Sequence, residues 1–597
     1  MPYVLGIDTG GTYTDSVIIS TSDRRVLSKV KSFTTKENLV IGIRNSIQLL
    51  QLKNADEIDM VCLSTTLATN AIVENKTARA GLLLIGKQLD TEFPDLLCEI
   101  LKGKLDIKGR EVIALDRLQI EHSIEHFRGE VEVMAISGYA SIRNPKQELF
   151  VKKMVRERLD IPVVCAHELT VELGYQERTA TAVFNARLIP VIKELLEAVK
   201  AVLAENGICA PLMVVKGDGS LVREEYVADR PIETILSGPA ASIVGGAFLS
   251  GVDNALVLDM GGTTTDTACL HDGKVVIEQE GAIVEGMRTR VKAAKIATYG
   301  LGGDSYIRID QNGNFMIGPG KVKPLCVATA EFPYLAEELA TLPNGTADCV
   351  EIYKAPKGQL LNKAEDIILN ELKEGPHSIQ YLLYHNAAIE KQDIERMEKK
   401  GYLRFISMTP TDILHVTGGF RRWNEHASIE GLRLLSRQAR MNGEMVLNSA
   451  AAAIGEKLKT VCRGAKTVVA IGAPVHAWLP SICQQLNIRL IIPEHAEVAN
   501  AVGAATGQVM YMTQVLIRPG AEHRDYIVYA PWVRRSFPTL AAAKDYAKAE
   551  IEKYCIEMMR KAGACNHQIS IKNEDIYAEV YVETRISATC IGSPDWS

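Results

Sequence analysis

The sequence has no excess of basic charge: 67 Lys plus Arg stand against 73 Asp plus Glu in 597 residues, a formal net charge of −6. A dedicated nucleic-acid or polyanion binder needs a clear basic excess, so that class is set aside for the chain as a whole. No uninterrupted apolar run approaches the ~18 residues that span a bilayer. Even Ala80 to Gly86 and Ser449 to Gly455 are short and carry glycine or polar residues. The opening, Met1-Pro-Tyr-Val-Leu-Gly-Ile-Asp-Thr-Gly-Gly11, lacks a basic segment followed by an apolar core, so it does not read as a secretory leader and a cytoplasmic location is expected. The twelve cysteines are scattered and never fall at C-x-x-C spacing. That argues against a disulfide framework and against zinc or iron–sulfur sites. Gly42-Ile-Arg-Asn-Ser46 lacks the lysine of a Walker A loop, and no Gly-x-Ser-x-Gly elbow occurs. His122 and His126, flanked by Glu121 and Glu125, miss the zincin spacing and read as a solvated helix face. With 47% hydrophobic and 23% charged residues, the chain is globular, and its length asks for about three to five units.

What the chain does have is an internal repeat. Asp8-Thr-Gly-Gly-Thr-Tyr-Thr-Asp15 and Asp259-Met-Gly-Gly-Thr-Thr-Thr-Asp266 match one pattern. Each follows an apolar run, Tyr3 to Ile7 and Ala255 to Leu258, and each precedes another, Ser16 to Ile19 and Thr267 to Leu270. The spacing predicts two β-hairpins with glycine turns. Paired glycines are expected to turn the chain at positive φ and to bring N–H groups close to a ligand. Such N–H groups with threonine hydroxyls make a concave anion site. An aspartate closing the first strand suits hydrated magnesium, which takes one or two carboxylates plus substrate phosphates. Two such hairpins facing each other would grip a polyphosphate from both sides.

These hairpins resemble the two phosphate motifs of the actin-like ATPase superfamily. Within it the chain is similar to the hydantoinase/oxoprolinase family, in its hydantoinase A-type ATP-dependent subunit. Leu63-Ser-Thr-Thr-Leu-Ala-Thr-Asn-Ala-Ile-Val-Glu74, Glu177-Arg-Thr-Ala-Thr-Ala-Val-Phe-Asn-Ala186, Leu236-Ser-Gly-Pro-Ala-Ala241 and Thr298-Tyr-Gly-Leu-Gly-Gly-Asp-Ser305 carry the match in order, over about residues 3–510. Two loops depart from the family. Gly302-Gly303-Asp304-Ser305 stands where Gly-Gly-Gly-Ser is common, and Lys216-Gly-Asp-Gly-Ser220 where Gln-Ser-Asp-Gly-Gly is usual. These departures bear on the substrate more than on ATP.

The resemblance implies an α/β fold, the two-lobed actin-like ATPase (duplicated ribonuclease H-like) class, with an inserted helical subdomain and a small α+β C-terminal domain. The boundaries read as 1–180 for the first lobe and 181–515 for the second, with an insertion at about 320–410 and a tail at 520–597. Apolar positions from Val183 to Val202 predict an amphipathic helix over 177–205, with Pro190 expected to kink or break it. Thr467 to His476 reads as a buried strand running into a Gly-Pro loop. With the small-residue run Val498 to Ala505, it resembles an adenosine motif. In the insertion, helical stretches 364–374 and 390–400 precede a strand at 401–406. This winged-helix-like order lacks net positive charge and is read as a packing or docking element. The tail is read as a separate unit with strands near 526–529 and 580–586 and a helix over 539–561.

The same resemblance assigns roles. Asp8 and Asp259 hold Mg2+. Gly10, Gly11, Thr12, Thr14, Gly261, Gly262, Thr263 and Thr264 cradle the phosphates of ATP. Gly302, Gly303, Gly472 and Ala473 touch the nucleotide. Asp15 or Asp266 polarises an attacking oxygen or only caps its own hairpin, and Thr65, Thr66 and Asn70 face the substrate. In the family, ATP phosphorylates the carbonyl oxygen of a cyclic amide such as a hydantoin or 5-oxoproline. A hydantoinase B-like partner subunit then completes hydrolysis, so an oligomer is expected, with no nucleic-acid or membrane partner. Acetone and acetophenone carboxylases use related subunits to make an enol phosphate of a ketone, and that alternative stays open. So does a nucleotide-gated regulatory ATPase, whereas a reductase-activating ATPase is disfavoured for want of closely spaced cysteines.

Overall fold

Tyr3-Val-Leu-Gly-Ile-Asp-Thr9 forms a strand (β1) with both faces buried, as a near-continuous apolar run in a central strand should. The computed structural model describes residues 3–594 except 12, 21, 35–38, 53–54, 92, 94–95, 357–360, 420, 521–523 and 579. Packing groups the chain into two compact units. The first comprises Met1–Phe248, Lys274–Lys295 and Val498–Ser597; the second comprises Leu249–Gly273 and Ile296–Glu497. All three expected segments therefore contribute to the first unit.

In the first unit, β1 pairs antiparallel with β2 (Tyr13–Ser20), and β2 with β3 (Val26–Phe33). On its other side β1 runs parallel to β4 (Ile58–Thr65). The same sheet continues through Leu212–Val215, Leu221–Arg223, Val509–Pro519, Tyr526–Ala530 and Val533–Phe537. The long strand Tyr581–Pro594 also pairs with Val509–Pro519 and carries Ala564–Tyr577 on its other edge. The C-terminal strands thus extend the sheet that holds the first hairpin, where the sequence suggested a separate unit. Helix α1 (Leu39–Leu49) packs against β2 and β3, and α2 (Leu67–Val73) follows β4 directly. A second, parallel sheet is built from Val163–Cys165, Val133–Gly138, Ala80–Ile85 and Leu97–Leu101.

The helix Tyr175–Glu205 runs for 31 residues through Pro190, so the proline does not break it. Proline removes one intrahelical hydrogen bond. Here the residues on both sides, among them Val183, Phe184, Leu188, Ile192 and Leu196, are buried along one continuous core face. That packing holds the two halves together while the proline ring lies exposed.

In the second unit, Ala255–Met260 pairs antiparallel with Thr265–His271 and parallel with Thr467–Ile471. Arg489–Ile491 and Ala297–Tyr299 flank these strands. Leu258, Met260, Val468 and Ala470 pack there with Trp478, Leu479 and Ile482. Between 323 and 407 lies a small sheet of Lys323–Pro324, Leu403–Ser407, Cys349–Ile352 and His377–Ser378. Helices Lys363–Glu371 and Lys391–Lys399 bury Ile368, Ile394 and Met397 in a core of their own with Val350 and Leu403. Among the described residues, no helix is long and apolar enough to cross a membrane.

Candidate functional site

The hairpin of the first unit pairs Asp8 with Asp15 and Thr9 with Thr14, so both carboxylates stand on one face. Gly10 N–H closes the turn onto the Tyr13 carbonyl at 3.0 Å. The helix Ala499–Thr506 covers the carboxylate face. There Asn500 Nδ2 donates to Asp8 Oδ2 at 2.7 Å and to Asp15 Oδ2 at 2.9 Å. Lys31, opposite Asp15 on β3, brings its ammonium to 2.7 Å from the Asp15 carboxylate. This helix can approach because Gly6 has no side chain: a Cβ there would lie 2.2 Å from the Ala501 carbonyl.

Asp8 is 4% exposed; its Oδ1 has no hydrogen bond of good geometry, with the Ser64 hydroxyl beside it favouring the charged form. Burial, reinforced by the neighbouring charge of Asp15, pushes the Asp8 carboxyl up to about 7. A buried carboxylate oxygen without a well-placed donor fits a divalent cation, whose preferred protein partners are carboxylates. Beside it, Thr66 N–H donates to the Thr9 carbonyl at 3.1 Å, and Asn70 Nδ2 donates to Thr66 Oγ1 at 3.1 Å. Ser237 Oγ donates to the Thr65 carbonyl at 2.8 Å. Leu236 reaches this contact at φ 63°, a left-handed conformation costly for a leucine. A Cβ on Gly238 would lie 3.1 Å from Thr66 Cγ2 and 3.8 Å from Asp8 Oδ1. Thr65, Thr66 and Asn70 are therefore gathered next to Asp8. So is the start of the helix Ser237–Ser250, an end that favours negative charge.

In the second unit the turn is repeated: Asp259 pairs with Asp266, and Gly261 N–H donates to the Thr264 carbonyl at 2.9 Å. Thr298 Oγ1 donates to Asp266 Oδ1 at 2.6 Å, while burial raises the Asp266 carboxyl above its ordinary value. The loop 302–305 is fastened to this turn. Gly303 N–H donates to the Gly261 carbonyl at 3.1 Å, and Asp304 N–H to the Gly262 carbonyl at 2.5 Å. A Cβ on Gly302 would sit 2.5 Å from the Gly262 carbonyl, so glycine is needed for the approach. Gly472 takes φ 95°, and a Cβ there would lie 2.2 Å from the Met260 carbonyl and 3.2 Å from Asp259 Oδ1. The strand-to-helix loop after Thr467–Ile471 thus passes directly over Asp259. Ala473 in that loop and His476 in the first turn of the helix Val475–Gln485 are exposed.

Several expectations change. Gly10, Gly11, Gly261 and Gly262 do not adopt positive φ. At Gly10 the constraint is space, since a Cβ would meet the Tyr13 carbonyl at 3.2 Å. The amides of Gly10, Gly261 and Gly303 donate inside the protein, and Gly302 N–H donates to Ser305 Oγ at 2.9 Å. Thr14 lies on the face opposite the carboxylates, its Oγ1 3.0 Å from Thr34 Oγ1. Thr263 and Thr264 are half-buried in the second turn, with Thr264 hydrogen-bonded to Asp266. Thr12 lies outside the described residues.

Within the small-residue run, Ala499–Thr506 forms a helix that packs against β1 of the first hairpin. Asn500 was missed as a site residue, although it is the one polar residue in that run. Lys31 and the Ser237-Gly238 pair were also missed; only tertiary pairing brings them to Asp15 and Asp8. Of the two departing loops, 216–220 is an internal ion network. Lys216 Nζ lies 3.2 Å from Asp218 and 3.6 Å from Glu233. In the other, burial and then Asp412 push the Asp304 carboxyl up to about 7, right against Gly262.

Residues 4–159 match the hydantoinase/oxoprolinase N-terminal region, and residues 178–328 match the hydantoinase/oxoprolinase domain; together they span about half of the chain. The chain is 29% identical over 354 residues to caprolactamase subunit alpha of Pseudomonas jessenii, covering 53% of this chain and 50% of that one. It is 27% identical over 365 residues to the acetophenone carboxylase gamma subunit of Aromatoleum aromaticum, covering 53% and 49%. The alignments thus span about half the length of these relatives. The crystal structure of ATP-dependent caprolactamase from Pseudomonas jessenii superposes with a TM-score of 0.68 at 19% identity, covering 99% of this chain and 87% of that one. The two share one α/β fold, and in this chain each unit carries a carboxylate hairpin. On the two matched regions, and on the hairpins they enclose, the chain belongs to the hydantoinase/oxoprolinase family.

Proposed function

We propose that this chain is the ATP-dependent, carbonyl-activating subunit of an amide hydrolase acting on a cyclic amide such as a hydantoin or 5-oxoproline. The observation that carries the reading is the buried Asp8 Oδ1, without a hydrogen bond of good geometry, at the head of a Gly-Gly hairpin that the chain builds twice. Phosphoryl transfer depends on positioning and charge compensation, and the residues around Asp8 supply both. Asp8 would hold magnesium, which when bound neutralises phosphate charge; Asp259 offers the equivalent group on the second hairpin. Asn500 and Lys31 hold Asp15 in its hairpin, so we assign Asp15 to positioning Asp8 through their shared amide. In the first unit the Gly11 amide and the first turn of the helix Ser237–Ser250 are the donors we assign to phosphate; Gly262 offers the matching amide on the second hairpin. Thr66 and Asn70 stand at the edge nearest a bound substrate.

The lactam carbonyl oxygen would take the γ-phosphoryl group as its bond to ADP breaks, turning an inert amide into one that water attacks. Because the relatives are named as subunits, we infer a second, hydantoinase B-like subunit for the hydrolytic step. A second reading rests on the acetophenone carboxylase relative: the same subunit chemistry would phosphorylate a ketone as its enol. The test is phosphate release from MgATP with a panel of lactams, hydantoins and ketones, with and without a partner subunit. Stimulation by a cyclic amide supports the first reading, and stimulation by a ketone alone supports the second. No stimulation by any small molecule overturns both.

A further inference from the structure

Residues 138–145 link the strand Val133–Gly138 to the helix Lys146–Arg158 in the first unit, and the turn is held from inside. Gly138 N–H donates to Glu148 Oε1 at 2.6 Å. Arg178 Nη2 donates to the carbonyls of Gly138 and Tyr139 at 3.2 and 3.0 Å. Arg143 sits on this turn and is 7% exposed. Its guanidinium lies 5.7 Å from the Tyr529 ring centre, and among the described residues it has no hydrogen bond or ion pair. Glu583 is the counter-charge it feels, shared with Arg518, so its desolvation is only partly offset. Burial, and next the charge of Arg518, lower its proton affinity.

Arg143 lines a small cavity of about 20 Å³ together with Arg518, Gln514, Tyr529, Leu516 and Val171. The charges around it are one-sided. Glu583 already serves two guanidiniums, accepting from Arg518 Nε and from Arg585 Nε at 2.7 Å each. Arg534 lies over the same Tyr529 ring and spends its Nη1 on the Gly109 carbonyl at 3.3 Å. Glu172, next to Val171, is engaged by Lys292 at 2.7 Å and Arg290 at 3.7 Å. Among the described residues, Arg143 thus shares the single carboxylate Glu583 with Arg518 and Arg585, and the cluster carries an excess of positive charge.

We propose that this cavity binds a small monovalent inorganic anion of the halide class, held between Arg143 and Arg518 with the Gln514 amide beside it. The volume exceeds the roughly 10–15 Å³ that one water needs. A single-atom anion fits such a space more readily than a tetrahedral oxyanion with five heavy atoms. Water would fill it but leave the excess positive charge in place. A bound halide ties the 138–145 turn to the strands Val509–Pro519 and Tyr526–Ala530, so occupancy should stabilise the first unit.

The test uses the full chain at constant ionic strength, exchanging gluconate for chloride or bromide, with sulfate as a bulky control. Chloride and bromide should raise the unfolding temperature saturably by about 2 °C or more. Gluconate and sulfate should not. Crystals soaked in bromide should show an anomalous peak in contact with Arg143 and Arg518. Arg143→Met should abolish both signals and be at least as stable as the parent in gluconate, because one cation of an over-positive cluster is gone. Should that variant fail to fold, Gln514→Leu, which fills the cavity, must still weaken bromide occupancy. The proposal is overturned by an absent bromide peak, by an equal shift in sulfate, or by a halide response that survives Arg143→Met.

Discussion

Asp8 combines two features that oppose each other: burial and the nearby Asp15 disfavour its charge, while a divalent cation requires it. The consequence can be measured without any substrate. Its carboxyl moves from 3.8 to about 7 on folding, so between these values the folded chain keeps a proton that the unfolded chain has lost. Stability is then fully present below pH ~4 and declines as pH rises through ~7. Asp8→Asn should remove this decline and, at pH 8 without divalent ions, leave the protein more stable by roughly 2–4 kcal/mol. The same variant should lose MgATP turnover by about 100-fold or more. Calorimetric melts across pH 4–8.5 and phosphate-release rates check the two halves separately. A variant less stable than the parent at pH 8 would refute the charge argument. For Asn500→Ala the expected direction is opposite: two buried carboxylates lose their shared donor, at a cost of about 1–3 kcal/mol by urea unfolding. Asn500 was visible in the sequence as a lone polar residue among small apolar ones, but nothing local said that it faces Asp8.

Among the elements, the helix Ala499–Thr506 carries most of the site's geometry, and it depends on glycine at its contacts. A Cβ on Gly503 would lie 1.8 Å from the Ala241 carbonyl, and one on Gly245 would lie 1.7 Å from the Ala499 carbonyl. The two helices therefore meet backbone to backbone. Gly503→Ala must push them apart and drag Asn500 off the carboxylates, so a loss of about 3 kcal/mol or more is expected in urea unfolding. Gly320→Ala, where an added Cβ meets nothing within 4 Å, is the control and should change stability by less than about 1 kcal/mol. Equal effects at the two positions would contradict the packing argument. The two hairpins and the helix Tyr175–Glu205 were legible because alternation and helical spacing are local signals. The run through Pro190 was not, since it depends on a core face supplied by distant residues.

At the scale of the molecule, the C-terminal segment is part of the sheet that builds the first hairpin. Tyr581–Pro594 pairs with 509–517 residue by residue, from Val509 with Gly592 to Ile517 with Thr584. Ending the chain at residue 520 would strip this ladder and uncover Val515 and Ile517, both fully buried. An uncovered apolar strand edge is an aggregation template. The truncated chain should be insoluble or oligomeric by size exclusion, whereas a soluble monomer with the parent's melting temperature would show the tail to be dispensable. Strand-like runs and a helical stretch pointed to the tail's elements. None of them could show which sheet edge they would join.

The sequence by itself determined the duplicated Asp-Gly-Gly-Asp hairpins, their register and the family they mark, because a tight hairpin is specified by residues within one turn of each other. Only the tertiary structure decided which groups meet the carboxylates. Asn500 reaches Asp8 across 492 positions, Thr14 turns away on the opposite face, and the Gly10 and Gly261 amides are consumed inside their own turns. These outcomes follow from how buried polar groups find partners once the core has closed. That depends on packing between distant segments, which no local pattern encodes.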